Sequence, residues 1–327
     1  YSDWTDNEVK YATSTGMFKP TEYEKYIFEI TKRWMDPDGD GNPIDGIDGW
    51  RLDVPNEISP GFWRRWRKLV KDINPDAYIS GEIWSNASSW LTGDTFDAVM
   101  NYQFAQNALR WVGDQKRKIS ATECAANLAR LRNSYSPEAT YALQNLLGSH
   151  DTDRLVSKLN NPDRAYDSGN REQDDNSYDG SKPPKISYKK ARLLALLQAT
   201  YVGAPMIYYG DEAGMWGSDD PNNRKPMLWK DLEPYEESKE NYVDESHLNF
   251  YRKVFNIRKK YVSLRRGSFK TYLTDDDKDL WVFVRESVGE AMLVALTPSL
   301  GDIDFQMPKG EWIEIFATEG GRVWKKK

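Results

Sequence analysis

Ile47-Asp48-Gly49-Trp50-Arg51-Leu52-Asp53-Val54 is a short apolar run that ends on a carboxylate and passes into polar, helix-starting sequence. Two later stretches repeat that design: residues 77–84, closing Ile79-Ser80-Gly81-Glu82-Ile83-Trp84, and residues 142–151, closing Leu147-Gly148-Ser149-His150-Asp151. Each reads as a strand, so Asp53, Glu82 and Asp151 are expected at the carboxyl ends of successive strands. Strand-helix alternation with acidic side chains there points to a (β/α)8 barrel, whose reacting groups sit on that face.

Working outward, Tyr23, Tyr26, Ile27, Ile30 and Trp34 recur at helical spacing and predict an amphipathic helix over residues 21–34. Ser59-Pro60 marks a helix start, and Phe62, Trp63, Trp66, Leu69, Val70 and Ile73 form its buried stripe. Further strands are expected over 98–104 and 205–209, and further helices through 124–131, over 188–202 and over 247–264. Residues 158–185 have the composition of an exposed loop. After Gly267 the period changes to strand alternation, as in Leu280-Trp281-Val282-Phe283-Val284 and Ala291-Met292-Leu293-Val294-Ala295-Leu296. That switch predicts three parts: a loop-rich segment 1–46, a barrel portion 47–266 and an all-β domain 267–327. Five barrel strands are counted where closure needs eight. The chain opens Tyr1-Ser2-Asp3-Trp4, without an initiator Met, and ends Trp324-Lys325-Lys326-Lys327 without an evident closing strand. The first barrel strands are therefore expected from a preceding segment or another chain.

The 327 residues carry a formal charge of -6. That excludes the basic footprint of a nucleic-acid or anionic-membrane binder and favours a neutral partner. Thirteen Trp and nineteen Tyr offer ring faces for stacking as well as packing. Cys124, the single cysteine, lies in helical, Ala-rich sequence and reads as a buried small hydrophobe. No apolar run approaches a membrane span. A bacterial periplasmic or secreted location is favoured over the cytoplasm.

Gly49-Trp50-Arg51-Leu52-Asp53-Val54-Pro55-Asn56-Glu57, Gly81-Glu82-Ile83-Trp84 and Leu146-Leu147-Gly148-Ser149-His150-Asp151-Thr152-Asp153-Arg154 resemble three signature regions of the α-amylase family of retaining glycoside hydrolases. Tyr208-Tyr209-Gly210-Asp211-Glu212 resembles its final barrel strand. Asn56-Glu57, together with the downstream run from Gly217 to Met227, is most similar to the neopullulanase and cyclomaltodextrinase branch. The family's third-strand motif is absent, so the chain resembles strands four to eight of a TIM barrel plus an antiparallel sandwich domain.

The resemblance implies a hydrolase of α-1,4-glucosidic bonds in maltodextrin, cyclodextrin or pullulan. A transglycosylase or isomerase on the same site is the alternative. A catalytically silent carbohydrate-binding protein is disfavoured because all three carboxylates are present. Retention needs a nucleophile and an acid/base roughly 5–5.5 Å apart. Asp53 takes the first role, with Arg51 favouring its charge, and Glu82 the second, with Asp53 and Asp151 raising its pKa. Asp151 would bind sugar hydroxyls and favour the distorted ring, with His150 donating a hydrogen bond beside it. Trp84 stacks at the leaving-group side or packs; Arg154 orients carboxylates or caps its loop. Asn56 and Glu57 would face the reducing side of the cut, Asp220 and Arg224 the non-reducing side. His247 is expected to be structural.

Asp36-Pro37-Asp38-Gly39-Asp40-Gly41-Asn42-Pro43-Ile44-Asp45 places oxygen ligands at alternating positions before a Gly turn, as in the first half of a calcium loop. Residue twelve is Ile47, so this is no EF-hand. Asp36, Asp38, Asp40 and Asn42, with Asp45 as a later ligand, are expected to hold a structural calcium; an acidic turn is the alternative. No organic cofactor is expected.

Overall fold

The computed structural model describes residues 22–236 and 239–327; the loop-rich reading of residues 1–21 lies outside them. In chain order come α1 (Glu22–Met35), β1 (Gly49–Leu52), α2 (Pro60–Ile73), β2 (Tyr78–Gly81), β3 (Ala98–Val99), α3 (Tyr102–Val112), α4 (Ala121–Asn133) and α5 (Pro137–Ala142). Then follow β4 (Gln144–Asn145), α6 (Leu155–Asn160), α7 (Lys185–Thr200), β5 (Ala204–Pro205), α8 (Glu245–Lys260) and α9 (Val262–Arg266). The last five are β6 (Ser268–Asp275), β7 (Leu280–Ser287), β8 (Glu290–Leu296), β9 (Trp312–Thr318) and β10 (Gly321–Lys326). The described residues form two compact units, 22–101 with Asn133–Gln144, and Tyr102–Arg132 with the described part of Asn145–Lys327.

In the first unit β1, β2 and β3 form a parallel sheet in that order, with Arg51 opposite Ser80 and Leu52 opposite Gly81. Met100 continues it through a parallel bridge to Gln144. A Cβ at Gly49 would lie 2.2 Å from the Tyr78 carbonyl oxygen, so only glycine lets the two strands approach this closely. Helix α2 starts where Ser59 Oγ accepts from the Phe62 N–H (3.3 Å) with Pro60 in the first turn. Phe62, Trp63, Trp66 and Val70 are buried against Met35, Ile79 and Phe96. At about 1.5–3 kcal/mol per buried large apolar side chain, this face is the main stabilising element of the unit. The two buried indole N–H groups keep partners, Trp63 on the Pro55 carbonyl and Trp66 on Thr31 Oγ1, each at 2.8 Å.

In the second unit the Asn145 carbonyl accepts from the Met206 N–H just past β5 (3.0 Å), and Gln198 Nε2 reaches both the Asn145 (2.7 Å) and Met206 (2.9 Å) carbonyls. Helix α7 supplies Gln198 and is buried along most of its length, Leu193 to Thr200 without a break. The antiparallel sheet has order β6-β7-β8-β10-β9.

Several elements differ from the sequence reading. The strand expected over 98–104 ends at Val99, and Tyr102, Phe104, Ala105, Ala108 and Leu109 form the buried side of α3. The strand expected over 142–151 shrinks to β4, because the backbone beyond Asn145 turns rather than pairs. The helix expected over 247–264 breaks at Tyr261 into α8 and α9. Residues 321–326, where no closing strand was evident, form β10, paired on both sides between β8 and β9. Cys124 and His247 are fully buried, as expected of packing residues. Among the described residues no helix is long and apolar enough to cross a membrane.

Candidate active site

In the first unit, Arg51 points from the same face of β1 as Asp53, one residue past the strand end. Its Nη1 lies 2.7 Å from Asp53 Oδ1 and its Nη2 2.6 Å from Glu82 Oε1, one residue past β2. A single guanidinium thus holds two carboxylates from adjacent parallel strands, while its Nε faces Met100 Sδ at 3.4 Å. The two acids differ in surroundings: the Asp53 side chain is 77% exposed and that of Glu82 3%. Val54, directly after Asp53, adopts the left-handed conformation (φ 40°, ψ 48°). For a β-branched residue that is a strained backbone, and it turns the chain sharply into the 3-10 turn Pro55–Glu57. There Asn56 Nδ2 donates to Glu57 Oε1 (3.1 Å), both side chains exposed. Trp84 is half-buried in the turn after β2.

In the second unit, Asp151 has two side-chain partners: His150 Nε2 lies 3.2 Å from Oδ2 and Arg224 Nη2 2.9 Å from Oδ1. Arg224 Nε holds Asp220 Oδ1 at 2.9 Å, and Arg171 Nη2 approaches Asp220 at 3.9 Å. Sequence reasoning missed Asn223, fully buried, whose amide donates to the His150 and Thr152 carbonyls (2.8 Å each) and so ties the 217–227 loop to the Asp151 turn. Its place inside the run Gly217 to Met227 was the available signal. Asp167 is pushed above the usual carboxylate range by burial and by the charge of Asp151.

Arg154 does not pair with Asp151 of its own unit, nor does its side chain cap its loop. It is fully buried, with Nη1 on Asp211 Oδ1 (3.1 Å) and on the Tyr209 carbonyl, and its guanidinium lies 4.6 and 4.8 Å from the Tyr208 and Tyr209 ring centres. It is the internal strut of the Tyr208 to Glu212 turn. Burial pushes the Asp211 carboxyl up to about 7 against the pull of Arg154. Burial likewise raises Asp153, held by Tyr178 Oη at 2.9 Å, to about 6.

In the acidic loop, carboxylate oxygens of Asp36, Asp38 and Asp40 lie within 4.8 Å of one another. Hard oxygen donors this close fit a divalent cation such as calcium. Asp45 is not part of that group. Asn42 Oδ1 instead accepts from the Ile44 N–H (3.3 Å) and caps the turn Pro43–Asp45. Asp36, Asp38 and Asp40 likewise accept local backbone N–H groups, from Gly39 and Gly41, Asp40 and Asn42 respectively.

The family described as "Alpha amylase, catalytic domain" matches residues 17–267, stopping where the antiparallel sheet begins. "Neopullulanase 2" of Thermoactinomyces vulgaris is 39% identical over 264 residues, covering 81% of this chain and 38% of that protein. "Cyclomaltodextrinase" of Geobacillus thermopakistaniensis is 37% identical over 307 residues, covering 91% and 45%. The solved type III pullulan hydrolase from Thermococcus kodakarensis superposes with a TM-score of 0.75 at 26% identity, covering 94% of this chain and 49% of that chain. The chain therefore spans about two fifths of the length of the curated relatives it matches.

Proposed function

The chain belongs to the α-amylase family of glycoside hydrolases, and on that premise we propose that it cleaves α-1,4-glucosidic bonds of maltodextrin, cyclodextrin or pullulan with retention at the anomeric carbon. The observation that carries this reading is the Arg51 fork between Asp53 and Glu82. Asp53 attacks the anomeric carbon while Glu82 gives its proton to the departing glycosidic oxygen, breaking the C–O bond and leaving a glycosyl ester on Asp53. Glu82, now a carboxylate, takes a proton from water; the resulting hydroxide attacks the same carbon and frees Asp53. Arg51 orients both carboxylates through separate nitrogens. The exposed Asp53 is open to substrate, and the buried Glu82 is held in one position, as a proton donor must be.

Asp151 binds sugar hydroxyls with His150, and Asp220 and Arg224 bind the glucose unit on the non-reducing side. Trp84 lies at the leaving-group side. Asn56 and Glu57, exposed directly beyond Asp53, handle the acceptor; a sugar in place of water there gives transglycosylation. Asp36, Asp38 and Asp40 would hold a calcium ion that stabilises the loop between α1 and β1.

Incubation with a 2-fluoro glycosyl fluoride followed by peptide mapping tests the central assignment: the label is expected on Asp53. A label on another carboxylate, or β-configured first product from cyclodextrin, pullulan and starch, overturns it.

A further inference from the structure

The molecule is acidic, yet one cavity of about 360 Å³ in the second unit is lined by Lys182, Lys185, Lys189 and Arg192, together with Tyr188 and Tyr242. Three of the cations fall at i, i+4 and i+7 of α7 and share one face of that helix. Among the described lining residues Asp244 is the one carboxylate; its Oδ1 caps α8 by accepting from the His247 N–H at 2.9 Å, it keeps its negative charge, and it offsets one of the four cations.

What matters is how much of this charge is already neutralised. Lys189 pairs with Glu319 (2.8 Å). Lys182 donates to the Glu240 carbonyl (2.9 Å) and lies 3.7 Å over the Tyr242 ring, neither contact cancelling its charge. Arg192 donates to Ser246 Oγ (3.0 Å) and His247 Nδ1 (3.3 Å). Burial and the Arg192 charge hold His247 down at about 4, so it is neutral at pH 7 and Arg192 keeps its full charge. Lys185 forms no ion pair among the described residues. It opens α7 after Pro184, where no side chain caps the helix and no acidic residue lies in the first turn, so the helix end adds positive potential to the same cavity.

We propose that this cavity, separate from the Asp151 cluster, binds a phosphomonoester dianion carried on a sugar: the cations take the phosphate and Tyr188 and Tyr242 flank the ring. Like charges gathered in a concave site cost energy unless an anion completes them, and a cavity of this size encloses a ligand of that class.

Calorimetric titration of the full chain carrying Asp53→Asn, which binds but does not turn over saturating maltotriose, tests this at low ionic strength with three probes: inorganic phosphate, glucose 6-phosphate and glucose. Glucose 6-phosphate should bind more tightly than phosphate, and glucose should give no heat. Lys185→Gln changes one exposed side chain and should weaken glucose 6-phosphate about tenfold, as loss of one charge-assisted hydrogen bond does; adding Arg192→Gln should weaken it about tenfold again. Unchanged affinity in Lys185→Gln overturns the site. No binding of either phosphate at millimolar concentration does the same. Equal affinity for phosphate and glucose 6-phosphate overturns the sugar assignment.

Discussion

One guanidinium serving two carboxylates makes Arg51 a sharper probe of the site than either acid alone. Its fork geometry is what a lysine lacks: an ammonium is a point charge and cannot hold Asp53 and Glu82 through separate, fixed nitrogens. Arg51→Lys should therefore lower kcat by about 10–100-fold, the worth of one charge-assisted hydrogen bond, with KM little changed. An unchanged kcat would show that the fork is not used in the reaction. Asp53→Asn should lose roughly 10³-fold or more while still binding maltooligosaccharide by calorimetry. At this scale the sequence reading placed Asp53 and Glu82 just past the ends of adjacent strands, where the structure has them, because each carboxylate closes an apolar run that can be seen in the chain. It named Arg154 without its partner Asp211, which lies far along the sequence, and did not reach Asn223, whose work is done on the backbone of a different loop.

Loops and turns, rather than the short strands, carry the next set of constraints. In the turn holding Asp211 the folded carboxyl sits at about 7 against 3.8 when unfolded, and Asp153 at about 6 against 3.8. Both pKa values are raised, so the folded state binds more protons than the unfolded chain between pH 4 and 7. This contribution is complete below about pH 4 and is lost as pH rises through 6 and 7. Urea midpoints should thus fall from pH 4.5 to 7.5, and Asp211→Asn, which cannot titrate, should flatten that slope. A midpoint that rises over this range counts against the buried, protonated Asp211. The acidic loop makes an opposite kind of demand: Asp36, Asp38 and Asp40 repel unless neutralised. If they hold calcium only when folded, metal at 100 times its dissociation constant stabilises by about 2.7 kcal/mol, and chelator should lower Tm accordingly. An unchanged Tm in EDTA identifies a plain acidic turn. The alternating acids were visible in sequence; that Asn42 caps the following turn was not, since its side chain serves either purpose equally well.

Across the whole chain, the change of period at Gly267 marked the antiparallel sheet correctly, whereas the order of its strands could not be read. Strand β10 enters between β8 and β9, a pairing set by contacts remote in sequence, and its run Arg322-Val323-Trp324-Lys325 ends in lysines that resemble a polar tail. Nor did composition reveal that this sheet shares a compact unit with α3 and α7. Arg285 on β7 shows how it is joined. Fully buried, it donates to the carbonyls of Thr200 (2.6 Å) at the end of α7, Leu264 (2.9 Å) in α9, and Gly267 (3.0 Å) and Ser268 (3.1 Å) at the start of β6. Trp111 Nε1 on α3 donates to Asp279 Oδ1 (2.7 Å), beside its ring contact with Trp281 of β7. Replacing Arg285 by Met keeps much of the volume but leaves buried carbonyls without donors, at about 1–3 kcal/mol for each that water cannot reach. Arg285→Met should therefore cost roughly 3 kcal/mol or more of unfolding free energy. Because the same side chain fastens helix ends and sheet together, the loss should appear as a downward shift of one cooperative transition, seen alike by tryptophan fluorescence and by far-ultraviolet circular dichroism. A separate early transition in tryptophan fluorescence would mean that the sheet unfolds on its own and that Arg285 is only a local contact.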